Sequence, residues 1–126
     1  MPEVMWKPEP DKHDYPAAAD YLALLAPPQQ VKAIVAALEA APIVHKKAKD
    51  LLRASRLPLL PVDNPHVSSD LAKIAKGKLL SPILVVQGDL STDVALQVAD
   101  GYHRVCATYH TDENTDIPVK LAPATG

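Results

Sequence analysis

Hydrophobic positions in the first 55 residues recur at every third or fourth position, which is the spacing of an α-helix. Pro16, Pro28 and Pro42 each precede such a run, where a proline in the first helical turn loses no hydrogen bond. The pattern predicts three amphipathic helices, over about residues 15–25, 29–40 and 44–55. We therefore expect the chain to begin with a three-helix unit over residues 1–55.

The pattern changes at 57–62, where two prolines interrupt an apolar run. Because proline cannot donate to a sheet, this run predicts an extended edge segment. The remaining predicted elements are a helix at about 67–77, strands at 83–86 and 94–98, a helix at about 102–110 and a short strand at 117–121. Pro118 places that last strand at an edge. The expected class is α+β, with a small mixed sheet and its helices over 56–126, and the two parts are able to pack as one compact unit.

Composition narrows the class of protein. The 126 residues suit one domain, and 48% of them are hydrophobic, which is enough for a core of Ala, Val, Leu and Ile. The single cysteine, Cys106, excludes an intrachain disulfide and fits a reducing compartment. No signal-peptide core and no apolar run of about 18 residues is present, and the net charge is −2. We expect a cytoplasmic protein without membrane contact.

The junction Asp100-Gly101-Tyr102-His103-Arg104 is the strongest candidate for a functional site. An apolar strand ends there and a helix begins, so unpaired N–H groups and the positive end of the helix dipole meet at one point. Arg104 and His103 add charge-assisted donors that suit a phosphate. The junction therefore predicts a phosphate-type anion site. The structural alternative is a helix cap in which Arg104 pairs with a nearby carboxylate.

Individual residues around this junction have more than one interpretation. Asp100 either caps the helix, which its residue type favours, or holds Mg²⁺ beside a bound nucleotide. Tyr102 either stacks on a base or packs against the protein. Lys78, shortly before the strand at 83–86, is a candidate to reach the same turn. The histidines are scattered without ligand spacing, so the sequence predicts no metal site formed by the protein alone.

The order of these motifs resembles a known family. A strand that begins after Ser81 is followed by a hairpin, a Gly-Tyr-His-Arg turn, a helix and an Ile-Pro-Val strand. Over residues 57–121 this order is similar to the ParB-like nuclease domain of the ParB/sulfiredoxin superfamily. The resemblance implies a nucleotide pocket with hydrolysis or phosphoryl transfer, as in an NTPase or a kinase. Gly101, His103 and Arg104 match the family's phosphate turn, and Ser81 begins the matching strand before it, which makes Ser81 a further candidate for ligand contact.

Two departures from that family narrow the reaction. Tyr102 stands where sulfiredoxins carry their catalytic cysteine, and a phenol cannot form the covalent sulfur intermediate. Sulfinic acid reduction is therefore not expected, and Cys106, one helical turn further on, is expected to lie toward the core. The segment at 112–114 lacks the following arginine of the nucleotide motif of chromosome-partitioning ParB proteins, which argues against a role in partitioning.

Positive charge is concentrated in the middle of the chain. Residues 41–80 hold eight of the 13 basic residues and three acidic ones, a net charge of +5 against −7 for the remainder. Four of these cations fall within one arc of the predicted third helix: Lys46, Lys49, Arg53 and Arg56. A solvated helix face is favoured, and a patch for nucleic acid or another polyanion is the alternative. No aromatic residue interleaves the patch, so base stacking is not supported.

Three functional hypotheses stay open. The first is a protein that binds a nucleotide or another phosphate-containing ligand at residues 101–104, with or without turnover. The second is a nucleic-acid-binding protein or nuclease that uses the basic helix at 44–56. The third is a non-enzymatic interaction module, whose N-terminal helices bind a partner or pair with a second copy as a homodimer.

Overall fold

The structure is a computed structural model that describes residues 3–124, and its class is mixed α+β, as the sequence predicts. The described helices are α1 (Asp14–Leu22), α2 (Pro28–Ala40), α3 (Ala48–Ser55), α4 (Pro65–Ala75) and α5 (Tyr102–Thr111). The described strands are β1 (Met5–Trp6), β2 (Val44–Lys47), β3 (Leu79–Leu80), β4 (Ile83–Val86), β5 (Gln97–Asp100) and β6 (Asp116–Ala122). None of these helices has both the length and the apolar character that crossing a membrane requires.

Four strands form the main sheet, in the order β2-β6-β4-β5. β6 runs parallel to β4 and antiparallel to β2, and β5 pairs antiparallel with β4. β1 and β3 form a separate two-stranded parallel sheet. β4 lies inside the main sheet and all four of its residues are buried. Its unbroken apolar run is the pattern expected of a strand that is covered on both faces.

The main sheet separates two hydrophobic cores. Successive side chains of β4 point to opposite faces, so Leu84 and Val86 join one core while Ile83 and Val85 join the other. α1 and α2 cover the first face, and α3, α4 and α5 cover the second. Cys106 of α5 is fully buried in the second core, as predicted, and burial raises the pKa of its thiol. A thiol in this environment packs as a small hydrophobic group.

The helix predicted at 44–55 begins only at Ala48. The four residues Val44–Lys47 form β2 instead, which pairs with β6 at one edge of the main sheet. The side chains that α3 buries all lie at or after Ala48. The backbone of residues 44–47 is instead determined by hydrogen bonding to β6. The three-helix N-terminal unit is therefore not confirmed, because its last segment is part strand and part helix. The division of the chain at residue 55 stays a prediction.

β6 is an interior strand, although its proline predicted an edge. It lies between β2 and β4 in the sheet order. Pro118 lies opposite His45 of β2, and the pairing with β4 begins one residue later, at Val119. Ile117 and Val119 are both almost completely buried. Burial of these residues and pairing on two sides therefore outweigh the single donor that the proline removes.

Residues 57–62, predicted as an extended edge segment, contain no strand. Their carbonyl groups accept hydrogen bonds from α5 side chains instead. The Tyr102 hydroxyl donates to the Pro58 carbonyl oxygen, and the His110 Nε2 atom lies 2.7 Å from the Leu60 carbonyl oxygen. The prolines of this segment lack ladder donors, so the side chains of α5 determine its path.

The strand predicted at 94–98 is shorter than expected, because β5 begins at Gln97. Val94 forms an isolated bridge with Asp89 that closes the intervening loop. Since Val94 is half-exposed, the apolar-polar alternation before β5 does not mark a buried face. α2, α4, α5 and β4 lie within two residues of their predicted bounds.

Candidate functional site

The start of α5 opens into a cleft of about 300 Å³ that also borders α4. α4 faces the cleft with positions 66, 69, 70 and 73, which is the spacing of one side of a helix. The polar lining consists of Lys7, Asp11, His66, Ser69, Asp70, Lys73, Asp100, His103 and Arg104. A second cleft, of about 460 Å³, is bordered by three carboxylates and by no basic residue among those described. Of these two clefts, only the first has cationic groups that suit an anion.

Gly101 is required by both the backbone and the space around it. It joins β5 to α5 with φ 111°, a conformation that side chains rarely adopt. A Cβ atom there would lie 2.4 Å from Ile83 Cδ1 and 2.9 Å from Arg104 Nη2. No side chain caps α5 at this position. Asp100 therefore does not act as the helix cap, and among residues 3–124 no side chain caps the first-turn N–H groups.

Arg104 is held inside the fold by carboxylates. Its Nη2 atom donates to Asp100 Oδ2 at 2.8 Å, and lies 3.8 Å from Asp14 Oδ2. Its side chain is only 18% exposed, and its Nε atom is buried without a hydrogen-bond partner among the described residues. This is the carboxylate pairing that the structural alternative predicted for Arg104. The same pairing occupies Asp100, the residue considered for Mg²⁺.

Asp14 is a central residue of the site that sequence reasoning missed. It lies in the first turn of α1 and is almost fully buried. The Ser81 hydroxyl donates to Asp14 Oδ2, and accepts a hydrogen bond from the Asp11 backbone N–H at 3.0 Å. Ser81 was predicted to contact a ligand, but its hydroxyl connects α1 to the start of β4. The only signal in the sequence was an acidic residue near a helix start.

Two histidines face each other at the cleft. The His66 and His103 rings lie 4.7 Å apart between centroids, with 47° between their planes. Burial and the neighbouring His66 lower the pKa of His103. Burial also raises the pKa of Asp70 and that of Asp100, and for Asp100 the nearby Arg104 opposes the rise. The cleft therefore disfavours charge on His103 when no ligand is present.

Each permanent cation of the cleft faces a carboxylate. Lys7 Nζ lies 2.7 Å from Asp11 Oδ1, where this hydrogen bond lowers the pKa of Asp11. The remaining pairs are Lys73 with Asp70 at 3.9 Å and Arg104 with Asp100 at 2.8 Å. The cleft is formally neutral while its histidines are neutral, so protonating a histidine gives it a net positive charge.

Two predicted ligand residues take other positions. Tyr102 donates its hydroxyl to the Pro58 carbonyl oxygen, and burial raises the pKa of this phenol. Its ring therefore packs against the 57–62 segment. Only the backbone N–H of Tyr102 is then left to contact a ligand at the start of α5. Lys78 is exposed and does not line the cleft. The structure thus brings together Asp100, Gly101, His103 and Arg104, and leaves Lys78 outside.

The predicted polyanion patch is divided between two surfaces. Lys49, Arg53 and Arg56 border a cleft of about 500 Å³ at the end of α3, whereas Lys46 lies on β2. Arg53 pairs with Asp50 at 3.0 Å, and Arg56 pairs with Asp93. The prediction that all four cations lie on one arc of a helix was wrong, because residues 44–47 form a strand. The nucleic-acid hypothesis stays a prediction.

A small cluster beside the cleft has the dimensions of a metal site. Ligand atoms of Asp11, His13 and Asp14 all lie within 4.8 Å of one another. Asp11 already accepts a hydrogen bond from Lys7, and Asp14 accepts one from Ser81. The Lys7 ammonium offsets the charge of Asp11, and the Ser81 hydroxyl occupies one oxygen of Asp14, so both carboxylates already have partners within the protein. No ligand motif in the sequence marks this cluster.

Comparison of the chain with protein-family models finds no match. Comparisons with curated proteins and with solved structures find no match either. The resemblance to the ParB-like nuclease domain therefore stays a prediction from sequence.

Proposed function

We propose that the chain binds a small phosphate-bearing ligand, with a nucleotide as the first candidate, in the cleft at the start of α5. The observation that carries this proposal is the uncapped α5 N-terminus, which opens beside Lys7, Lys73 and His103. Unpaired N–H groups and the positive helix end attract an anion, and the side chains add charge-assisted donors.

Each group has a distinct role in this proposal. The first-turn N–H groups of α5 donate to phosphate oxygens, and Gly101 supplies the left-handed backbone turn from which the helix starts. His103 and Lys73 add charge from opposite sides of the cleft, since they belong to α5 and α4. Arg104 acts as a positioning residue, because its bond to Asp100 connects the end of β5 to α5. The cleft, at about 300 Å³, has the size of a small-ligand site.

Mg²⁺ is a candidate companion of a nucleotide in this cleft. The carboxylate that borders both the cleft and the Asp-His-Asp cluster is that of Asp11. A nucleotide would supply the additional oxygen ligands that Mg²⁺ prefers. Turnover, as in an NTPase or a kinase, is what the ParB-like resemblance implies. It is measured separately, as release of phosphate from bound nucleoside triphosphate.

Isothermal titration calorimetry tests the proposal with CTP, ATP, ADP, GTP and inorganic phosphate, each with and without Mg²⁺. We expect at least one of them to bind with a dissociation constant below about 1 mM. Absence of binding by all five at millimolar concentration contradicts the proposal.

A matched pair of lysine variants locates the site. Lys73→Ala removes a cation that lines the cleft, whereas Lys76→Ala removes one nearby in the chain that does not. We expect Lys73→Ala to weaken binding roughly tenfold, the effect of one charge-assisted hydrogen bond, and Lys76→Ala to change it less than about twofold. Equal effects of the two variants would place the ligand elsewhere.

A further inference from the structure

An apolar crevice lies between α3 and the main sheet, away from the phosphate cleft. Its volume is about 180 Å³ and its wall exposes no polar surface. Its apolar lining is formed by Leu51, Ala54, Val85, Leu96, Val119 and Leu121. Cavities of this size and character accept one small apolar group, such as a single aliphatic side chain.

The matching side chain is present on the same molecule. Leu90 is fully exposed on the loop between β4 and β5. Asp89 and Val94 close this loop with two reciprocal backbone N–H to carbonyl hydrogen bonds, both 2.9 Å. The backbone of the loop therefore fixes Leu90 in its solvent-exposed position. Complete exposure of a leucine is unfavourable, and its burial in an apolar crevice is favourable.

The loop and the crevice adjoin each other. Leu96, on the return from the loop, lines the crevice and also the groove that flanks the loop. Its backbone N–H donates to the Ala54 carbonyl oxygen of α3 at 3.1 Å, which fixes the two features side by side. A protruding apolar side chain and an apolar hole therefore lie on one face of the molecule.

The charges around these two features are complementary. Lys46 and Asp50 both border the crevice. Asp50 is already paired with Arg53 at 3.0 Å, whereas among residues 3–124 no carboxylate lies within 4.0 Å of the Lys46 ammonium group. Asp89 adjoins Leu90, is exposed, and has its carboxylate bonded by Ser91 of its own loop. The loop thus presents a leucine beside an anion, and the crevice presents an apolar hole beside a cation.

We propose that two copies of this chain associate about a two-fold axis, with Leu90 of each copy in the α3 crevice of the other. Asp89 of each loop then approaches Lys46 of the opposite copy. Because the protruding side chain and the hole share one face, the contact is self-complementary and closes at a dimer. The contact area is small, so the dimer is weak, with a dissociation constant on the order of 100 µM. This proposal does not depend on the phosphate site.

Sedimentation velocity from about 10 µM to about 1 mM, the range expected for a small interface, tests the proposal. The weight-average mass should rise with concentration from the monomer value of 13.5 kDa toward twice that value. Leu90→Ser should remain monomeric throughout with an unchanged melting temperature, because the side chain touches nothing in its own fold. Leu24→Ser is the matched control, since Leu24 is also 81% exposed but lies beyond the end of α1.

A monomer at every concentration overturns the proposal, as does equal loss of dimer in Leu90→Ser and Leu24→Ser. Filling the crevice tests the receptor side: Ala54 is exposed on α3, so Ala54→Leu should fold normally and abolish the dimer. Dimerisation that survives Ala54→Leu shows that Leu90 does not enter the crevice. Lys46→Glu should weaken the dimer roughly tenfold. Growth beyond a dimer contradicts the two-fold arrangement.

Discussion

The cleft at the start of α5 and the surface around α3 both carry arginine–aspartate pairs, but they hold them differently. Arg104 pairs with Asp100, four residues earlier, and both side chains are only 18% exposed. Arg53 pairs with Asp50, three residues earlier, and its side chain is 84% exposed. The first pair is enclosed by the fold and the second is in solvent. Aspartate–arginine pairs with similar spacing in the sequence therefore differ in their burial and in their effect on stability.

The same contrast applies to glycine. Gly101 and Gly77 both have positive φ angles, 111° and 70°. A Cβ atom on Gly77 would meet nothing within 4 Å, whereas one on Gly101 would overlap Ile83. At Gly101, the backbone conformation, the packing of Ile83 and the position of Arg104 all depend on the absence of a side chain. At Gly77, only the backbone conformation does.

The largest expected effect is that of Gly101→Ala. The added methyl group collides with Ile83 and the backbone is strained, so we expect a loss of roughly 2–4 kcal/mol in the free energy of unfolding. Gly77→Ala carries the backbone strain alone and should lose about 1 kcal/mol. Urea unfolding of both variants makes the measurement. Equal losses would show that the enclosure at Gly101 is weaker than its contacts indicate.

Arg104→Ala ranks next. It leaves the Asp100 and Asp14 carboxylates in a largely buried environment without their cation, so we expect a loss of about 2 kcal/mol in the free energy of unfolding. Arg53→Ala removes the matched surface pair and should lose less than about 0.5 kcal/mol. Thermal and urea unfolding compare the two. If both variants lose the same small amount, the enclosed pair does not stabilise the fold.

The α5 side of the cleft could be predicted from sequence because its signals are local, whereas the α4 side was not predicted. A glycine between an apolar strand and a helical pattern marked the junction, and the first-turn residues identified the donors there. The helix at 102–110 and the strand at 83–86 were likewise predicted within one residue, since their apolar patterns are complete over short windows. Local patterns suffice where one element determines its own periodicity.

The failures have non-local causes. Nothing near Ser81 indicates that its hydroxyl bonds Asp14, 67 residues earlier in the chain. The edge position predicted for Pro118 failed because two different strands pair on either side of β6. The helix predicted at 44–55 failed because strand pairing overrode a helical apolar spacing. Single-sequence periodicity contains no information about such partners, and tertiary pairing overrides local preference.

A smaller effect is expected from Tyr102→Phe. It removes the hydroxyl that donates to the Pro58 carbonyl oxygen, so we expect a loss of about 1 kcal/mol. Tyr109→Phe is the control on the same helix, because its hydroxyl makes no hydrogen bond to residues 3–124. Equal unfolding free energies for the two variants would mean that α5 holds the 57–62 segment by packing alone.

The smallest expected effect concerns His103 and pH. Burial and His66 lower its pKa below the ordinary value of 6.5 in the folded chain. The unfolded chain therefore takes up a proton as pH falls through about 6.5, before the folded chain does, so the free energy of unfolding decreases between about pH 7.5 and the folded-state pKa. His103→Gln should remove that decrease, which we expect to be under about 1 kcal/mol. His45→Gln, an exposed histidine on β2, is the control.

The carboxyl groups of Asp70 and Asp100 act in the opposite direction. Burial raises their pKa values, so each becomes less destabilising as pH falls through its folded-state pKa toward the ordinary value of 3.8. Both groups remain in His103→Gln, so subtracting its pH profile from that of the parent isolates the histidine. A bound phosphate favours protonated His103, so phosphate affinity should rise over the same interval in which stability falls. Parallel pH profiles for parent and His103→Gln, in stability and in affinity, would exclude His103 from both roles.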